Sequence, residues 1–132
     1  MRHPDGKLET ELKRGIFQIA VLSLLREPRY GYQIGRLLAE HGLAVEEGTL
    51  YPLLRRMEEQ DLLESWWVTE QARPRKYYRT TPDGKECLGV LLETWGRVND
   101  ALRRVVDASA REGGGQVPPP PAGGEPGGED AE

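Results

Sequence analysis

Cysteine is nearly missing from this chain: Cys87 is the only one among 132 residues, so no intrachain disulfide can brace the fold. Histidine is almost as scarce. His3 sits in the N-terminal segment and His41 stands beside Gly42, and neither has a cysteine or carboxylate partner at metal-ligand spacing. A membrane span needs about 20 apolar residues in a row. The most apolar stretch, Ile16 to Leu25, is shorter and is interrupted by Gln18 and Ser23. The first residues, Met1-Arg2-His3-Pro4-Asp5, lack the apolar run of a signal peptide. No glycine-rich motif of the phosphate-cradling kind occurs. Cys87 falls near a predicted helix start, where a thiol's pKa can drop; it reads as an ordinary small helix residue or, alternatively, as a redox sensor. With no paired catalytic groups, the expectation is a cytoplasmic protein that is not an enzyme and needs no metal or cofactor.

What is present fits one modest domain with an appendage. Hydrophobic residues make up 37% and charged residues 30% of the chain. A domain this small gains from oligomerising, because little of its surface is internal. The net charge of −4 is unevenly distributed. Arg111 is the last basic residue, and Glu125, Glu129, Asp130 and Glu132 in the tail account for the whole imbalance. The body is neutral but patterned, with Arg55, Arg56, Arg73, Arg75, Lys76 and Arg79 falling close together. Local clustering of this kind, more than total charge, governs phosphate binding.

Apolar spacing predicts four helices. Leu12 to Leu25 carries one stripe of Leu12, Ile16 and Ile19 and another of Phe17, Ala20, Val21 and Leu24, and Pro28 ends it. Tyr30 to Glu40 follows, with Ile34, Leu37 and Leu38 inward and Gly42 placed to stop it in a left-handed conformation. In the third helix Leu50, Leu53, Leu54 and Met57 face the core, while Pro52 is expected in or close to the first turn. The period then changes. Leu63 to Thr69 and Lys76 to Thr80 are rich in aromatic and β-branched residues and flank Gln71-Ala72-Arg73-Pro74, which predicts a hairpin with a basic loop. Thr81-Pro82-Asp83 opens the last helix with a cap, an N1 proline and a first-turn acid. Its residues Leu88, Leu91, Trp95, Val98, Leu102 and Val105 alternate spacings of three and four, a short heptad seam suited to a dimer interface.

The expected fold is therefore mostly α with a small β-hairpin: a winged helix-turn-helix plus a long C-terminal dimerisation helix. The predicted organisation is a flexible arm over 1–11, the winged domain over 12–81, the dimerisation helix over 82–112 and a disordered Gly/Pro-rich acidic tail over 113–132. The third helix leaves Thr49, Tyr51, Pro52, Arg55 and Arg56 on its outer side, where Arg can bond guanine through two parallel hydrogen bonds. Arg73, Arg75 and Lys76 of the hairpin can reach flanking phosphates or the minor groove. Double-stranded operator DNA and a second copy of the chain are the partners expected.

Three segments carry a family resemblance: Tyr30-Gly31-Tyr32-Gln33-Ile34, Gly48 through Glu58, and Arg75-Lys76-Tyr77-Tyr78-Arg79-Thr80-Thr81. In this order they resemble the PadR family of transcriptional regulators, over roughly Leu12 to Val106. The resemblance implies a homodimeric repressor of the shorter branch, with Thr49, Tyr51, Arg55 and Arg56 at the major groove and Lys76 in the wing. The Trp-bearing last helix also looks like that of members which bind small aromatic compounds between subunits. On that likeness Trp95, with Leu91, Val98 and Trp67, is a candidate site for an aromatic or hydrophobic effector. Trp95 packing the interface without any ligand is the competing reading. Two others stay open: a winged helix that binds protein instead of DNA, and a repressor with no ligand at all.

Overall fold

The computed structural model describes residues 6–70, 72–112 and 117–122. Four helices and three strands follow in the order α1 (Gly6–Leu24), β1 (Arg29–Tyr30), α2 (Gly31–Glu40), α3 (Glu47–Glu59), β2 (Leu63–Val68), β3 (Arg75–Thr80) and α4 (Pro82–Glu112). The chain divides into two units, residues 1–96 and 97–132, with α4 passing from the first into the second. No helix among the described residues is long and apolar enough to cross a membrane.

The first unit packs α1, α2, α3 and the start of α4 against one face of the sheet. Val21, Leu22, Leu25, Ile34, Leu54 and Met57 are fully buried, with Phe17, Leu38, Leu50, Leu53, Leu63, Tyr78 and Leu88 completing the core. The expected α3 core positions are thus all inside. Thr80, a polar residue in this core, bonds its hydroxyl to the Leu22 carbonyl at 2.9 Å and its amide to the Leu25 carbonyl at 2.7 Å. Those bonds satisfy carbonyls at the end of α1 that have no helical partner and tie β3 to it.

Chain reversals follow local chemistry. Gly42, at φ +88°, lets Gly42 and Leu43 donate back to the Ala39 and Leu38 carbonyls at 3.0 and 2.8 Å. Asp61 does the same for α3 at φ 63°, with Leu62 donating to Met57 at 2.9 Å. Asp is one of the few residues besides glycine that tolerates this conformation. His41 is spent on the end of α2, its Nδ1 lying 2.8 Å from the Leu37 carbonyl. At the start of α4 the Thr81 hydroxyl accepts from the Gly84 amide at 2.9 Å, as a capping threonine should.

The structure corrects several expectations. α1 begins at Gly6, so residues 6–11 of the expected arm are helical, and Leu12 is 77% exposed instead of buried. A Glu9–Lys13 ion pair of 2.7 Å supports this exposed first half, a helix stabiliser that apolar periodicity does not register. The hairpin gains a third strand: β1 pairs antiparallel with β3, Arg29 opposite Tyr78 and Tyr30 opposite Tyr77, giving sheet order β1-β3-β2. Tyr30 was expected in the second helix. Pro52 is the sixth residue of α3, beyond the first turn, and leaves the Gly48 carbonyl without its helical donor. Gly48 is exposed, so water can take that bond. Leu88 is 6% exposed within its own core and is thereby withdrawn from any seam between subunits. The remaining residues of the expected arm, 1–5, lie outside the described residues, as do 113–116 and 123–132 of the tail.

In the second unit, α4 continues through Glu112 with Val98, Leu102, Val105 and Val106 all more than half exposed. Residues 117–122 are irregular and exposed.

Candidate nucleic-acid interface

α3 exposes its polar side because its four core residues recur at helical spacing and take up the opposite side. The outward residues do not form one flat face. Thr49, Pro52 and Arg56 border a groove shared with Thr10, Arg14 and Gln18 of α1. Tyr51 lies on the other flank, where the N-terminus of α2 and the hairpin close a second cleft around it. Arg55 is exposed on α3 four residues on from Tyr51.

The second cleft gathers the expected wing residues. Arg73 and Lys76 line it with Trp67, Tyr51, Tyr78 and Gly31, and Arg75 reaches its border. Strand pairing explains the grouping: Trp67 is opposite Lys76 and Ser65 opposite Tyr78, so these side chains share the sheet face that α3 covers. Lys76 Nζ lies 5.6 Å from the Tyr78 ring centre and 3.9 Å from Glu58. Glu58 in turn accepts a 2.6 Å bond from the Ser65 hydroxyl.

Tyr51 owes its position to Gly31. A Cβ on residue 31 would stand 2.5 Å from the Tyr51 hydroxyl oxygen, so only glycine lets this ring lie against the start of α2. Burial pushes the Tyr51 hydroxyl above its ordinary value of 10.0, and the Glu47 carboxylate adds to the shift. Burial also raises Tyr78, reinforced by Glu58 and then Tyr51 and opposed by Arg55. Both phenols therefore stay protonated and able to donate a hydrogen bond at any ordinary pH.

The opposite face of the sheet is closed on itself. Tyr77 stands edge-on to Tyr30 at 5.5 Å and stacks on Trp66 at 6.3 Å. Arg75 caps one end of this row, 4.4 Å from the Tyr30 ring, and Arg79 caps the other, 5.2 Å from Trp66. Arg79 also pairs with Glu64 at 2.7 Å. Arg75, expected as a free wing contact, is thus stacked on an aromatic ring as well. Strand alternation divides the adjacent aromatics: Tyr78 is core and Tyr77 is not, and Trp66 and Trp67 face opposite ways.

Helices α1 to α3, a basic hairpin and a strand that joins it from before α2 make up a winged helix. The comparison with known proteins agrees. The profile of the transcriptional regulator PadR-like family matches residues 21–90, which takes in α2, α3, the sheet and the start of α4. The chain belongs to the PadR-like family. A PadR family transcriptional regulator of Eggerthella lenta, of known structure, is 44% identical, with a TM-score of 0.71 over 76% of this chain and 89% of its own. A PadR-like transcription factor of Bacteroides fragilis is 38% identical, with a TM-score of 0.64 over 75% of this chain and 98% of its own. A protein of Lysinibacillus sphaericus is 30% identical over 72% of this chain and 92% of its own. PadR-like proteins are transcriptional regulators and not enzymes, so this chain is a DNA-binding regulator with a winged helix and a long C-terminal helix.

Within this PadR-like chain Leu91, Trp95 and Val98 of the expected effector residues share one face of α4, and Trp67 lies elsewhere. Trp67 belongs to the cleft between α3 and the hairpin, and no residue of 82–96, the part of α4 in the same unit, lines that cleft. Leu91 is half-buried against the core, whereas Trp95 is 49% exposed and Val98 56%. Of the expected seam, Trp95, Val98, Leu102 and Val105 remain exposed. Sequence reasoning missed Arg14 beside Arg56, the exposed Tyr32 with Arg36 6.0 Å from its ring, and Trp67 as a neighbour of the wing cations. For Trp67, strand alternation separates it from Trp66, but only the β2–β3 register puts it beside Lys76.

Proposed function

We propose that the chain is a repressor that binds an inverted-repeat operator as a homodimer, with α3 in the major groove and the β2–β3 wing against the flanking backbone. The observation that carries this reading is the convergence of Tyr51, Arg73 and Lys76 on one cleft, with Arg55 exposed on the same helix as Tyr51. Arg55 and Arg56 supply direct readout, Thr49 and Pro52 shape the contact on the α1 flank, and Arg73, Arg75 and Lys76 meet phosphates. Residues 12–81 act as the reading head and 82–112 as the dimerisation helix, supported by the exposed apolar row Trp95, Val98, Leu102 and Val105. Two such heads would enter successive major grooves about one helical turn apart. A flat hydrophobic effector bound near Trp95, alongside Leu91 and Val98, would weaken operator binding to the extent that it prefers one arrangement of the heads. A protein acting on chromosomal DNA in this way works in the cytoplasm.

Selection of bound sequences from random duplexes, followed by fluorescence anisotropy across a salt series, tests the reading. Enrichment of a two-fold symmetric sequence, with affinity falling steeply as salt rises, is the expected result. Recovery of sequences without any consensus would instead favour a winged helix serving a protein partner.

A further inference from the structure

The cleft between α3 and the wing is an open trough of about 870 Å³ with aromatic walls and cations at its rim. Trp67 is 61% exposed in it, although its neighbour Trp66 is stacked between Tyr77 and Arg79 on the other face. We propose that this trough seats one sugar-phosphate strand of the duplex, with the Trp67 indole packed on deoxyribose and Arg73 and Lys76 meeting the phosphates on either side. The proposal rests on the reading of α3 as the major-groove helix. If α3 occupies the major groove and the wing approaches the adjoining minor groove, the strand dividing those grooves has to pass between them.

The chemistry of the lining fits that occupant. No acidic residue lines the trough among the described residues, so its charge complements phosphate. The Tyr51 hydroxyl stays a neutral donor, held at the trough wall by the bare backbone of Gly31. Bases in an intact duplex are stacked and their faces closed, which leaves the C–H edge of deoxyribose as the apolar surface an exposed indole can cover. Trp67 thereby becomes a residue that binds every duplex and reads no base, distinct in kind from Arg55.

Trp67→Ala and Trp67→Phe, compared with wild type on the selected operator and on an unrelated duplex, test the assignment. Trp67→Ala should weaken both by about tenfold, the effect of losing part of a buried aromatic surface, while the ratio between the two duplexes stays unchanged. Trp67→Phe should recover part of the loss. In a Trp66→Phe/Trp95→Phe variant, where Trp67 is the sole indole, saturation with either duplex should shift emission to the blue and shield it from acrylamide. Unchanged affinity for both duplexes, or a loss confined to the operator, overturns the proposal, as does an indole equally quenched with and without DNA. Failure of the major-groove reading shows separately, as an Arg55→Ala protein that keeps the wild-type preference for the operator.

Discussion

Leu54 and Leu102 are the same side chain on two helices of one chain, yet Leu54 is 0% exposed and Leu102 57%. The difference separates two regions with different needs. In the first unit Leu54 belongs to a shared core that draws on α1, α2, α3, the sheet and the start of α4, although Leu8, Leu12 and Val90 stay exposed on its helices. From Arg97 onward, Val98, Leu102, Val105 and Val106 lie on a helix with no second helix or strand of its own unit among the described residues. A helical segment of that length is marginal in water unless an apolar face is covered. The first unit therefore has a core of its own, and the helix beyond it carries an apolar row suited to a second copy.

Substitution at the two leucines is the largest test of this contrast. Leu54→Ala should cost about 2–5 kcal/mol of folding stability and lower the melting temperature, with the protein still dimeric below it. Leu102→Ala should leave the winged domain folded and weaken the dimer by about 1.5–3 kcal/mol per side chain, seen as monomer in analytical ultracentrifugation. A Leu102→Ala protein that stays dimeric at every concentration would remove α4 as the interface.

A second pair sharpens the functional side. Arg55→Ala should lose about 1–3 kcal/mol of discrimination at each half-site with the dimer intact. Trp95→Ala should spare DNA binding and abolish any response to aromatic ligands; dissociation into monomers would make Trp95 a strut of the interface instead. A smaller effect is expected at Glu58, whose carboxylate lies 3.9 Å from Lys76. Glu58→Gln should tighten binding to operator and unrelated duplex alike by a few-fold and steepen the salt dependence, because Lys76 is then fully available to phosphate.

The smallest effect lies at alkaline pH. The folded chain holds the Tyr78 proton more tightly than the unfolded chain, whose tyrosines titrate near the ordinary value of 10.0. That contribution to stability is fully present below pH 10 and is lost as pH rises through the folded value. Denaturant midpoints measured from pH 8 upward should fall beyond pH 10, and Tyr78→Phe should flatten the decline. Equal slopes in the two proteins would show that Tyr78 does not carry it.

Much of the fold was legible because it rests on local chemistry. Leu50, Leu53, Leu54 and Met57 recur at helical spacing, Gly42 stands where a left-handed residue is needed, and Thr81 precedes Pro82 at a helix start. Less of the site was legible. A common outer side for Thr49, Tyr51, Arg55 and Arg56 follows from periodicity alone, but the structure splits it between a groove with α1 and a cleft with the wing. The assignment of Trp67 to an effector groove with Trp95 came from residue type and likeness, and strand pairing puts it beside Lys76 instead.

By itself the sequence determined the order of the four helices and the hairpin, the turns at Gly42 and Thr81 and the inward sides of α2 and α3, since these depend on neighbours within about one turn or one strand step. Tertiary structure alone decided that Arg29 and Tyr30 form a strand, because a two-residue strand exists only through its bonds to Tyr77 and Tyr78 far along the chain. It alone placed Leu88 in the core, and it alone set Tyr51 against Gly31 and Trp67 beside the wing cations. Those are contacts between surfaces brought together by packing, and helical or strand periodicity carries no information about which surface meets which.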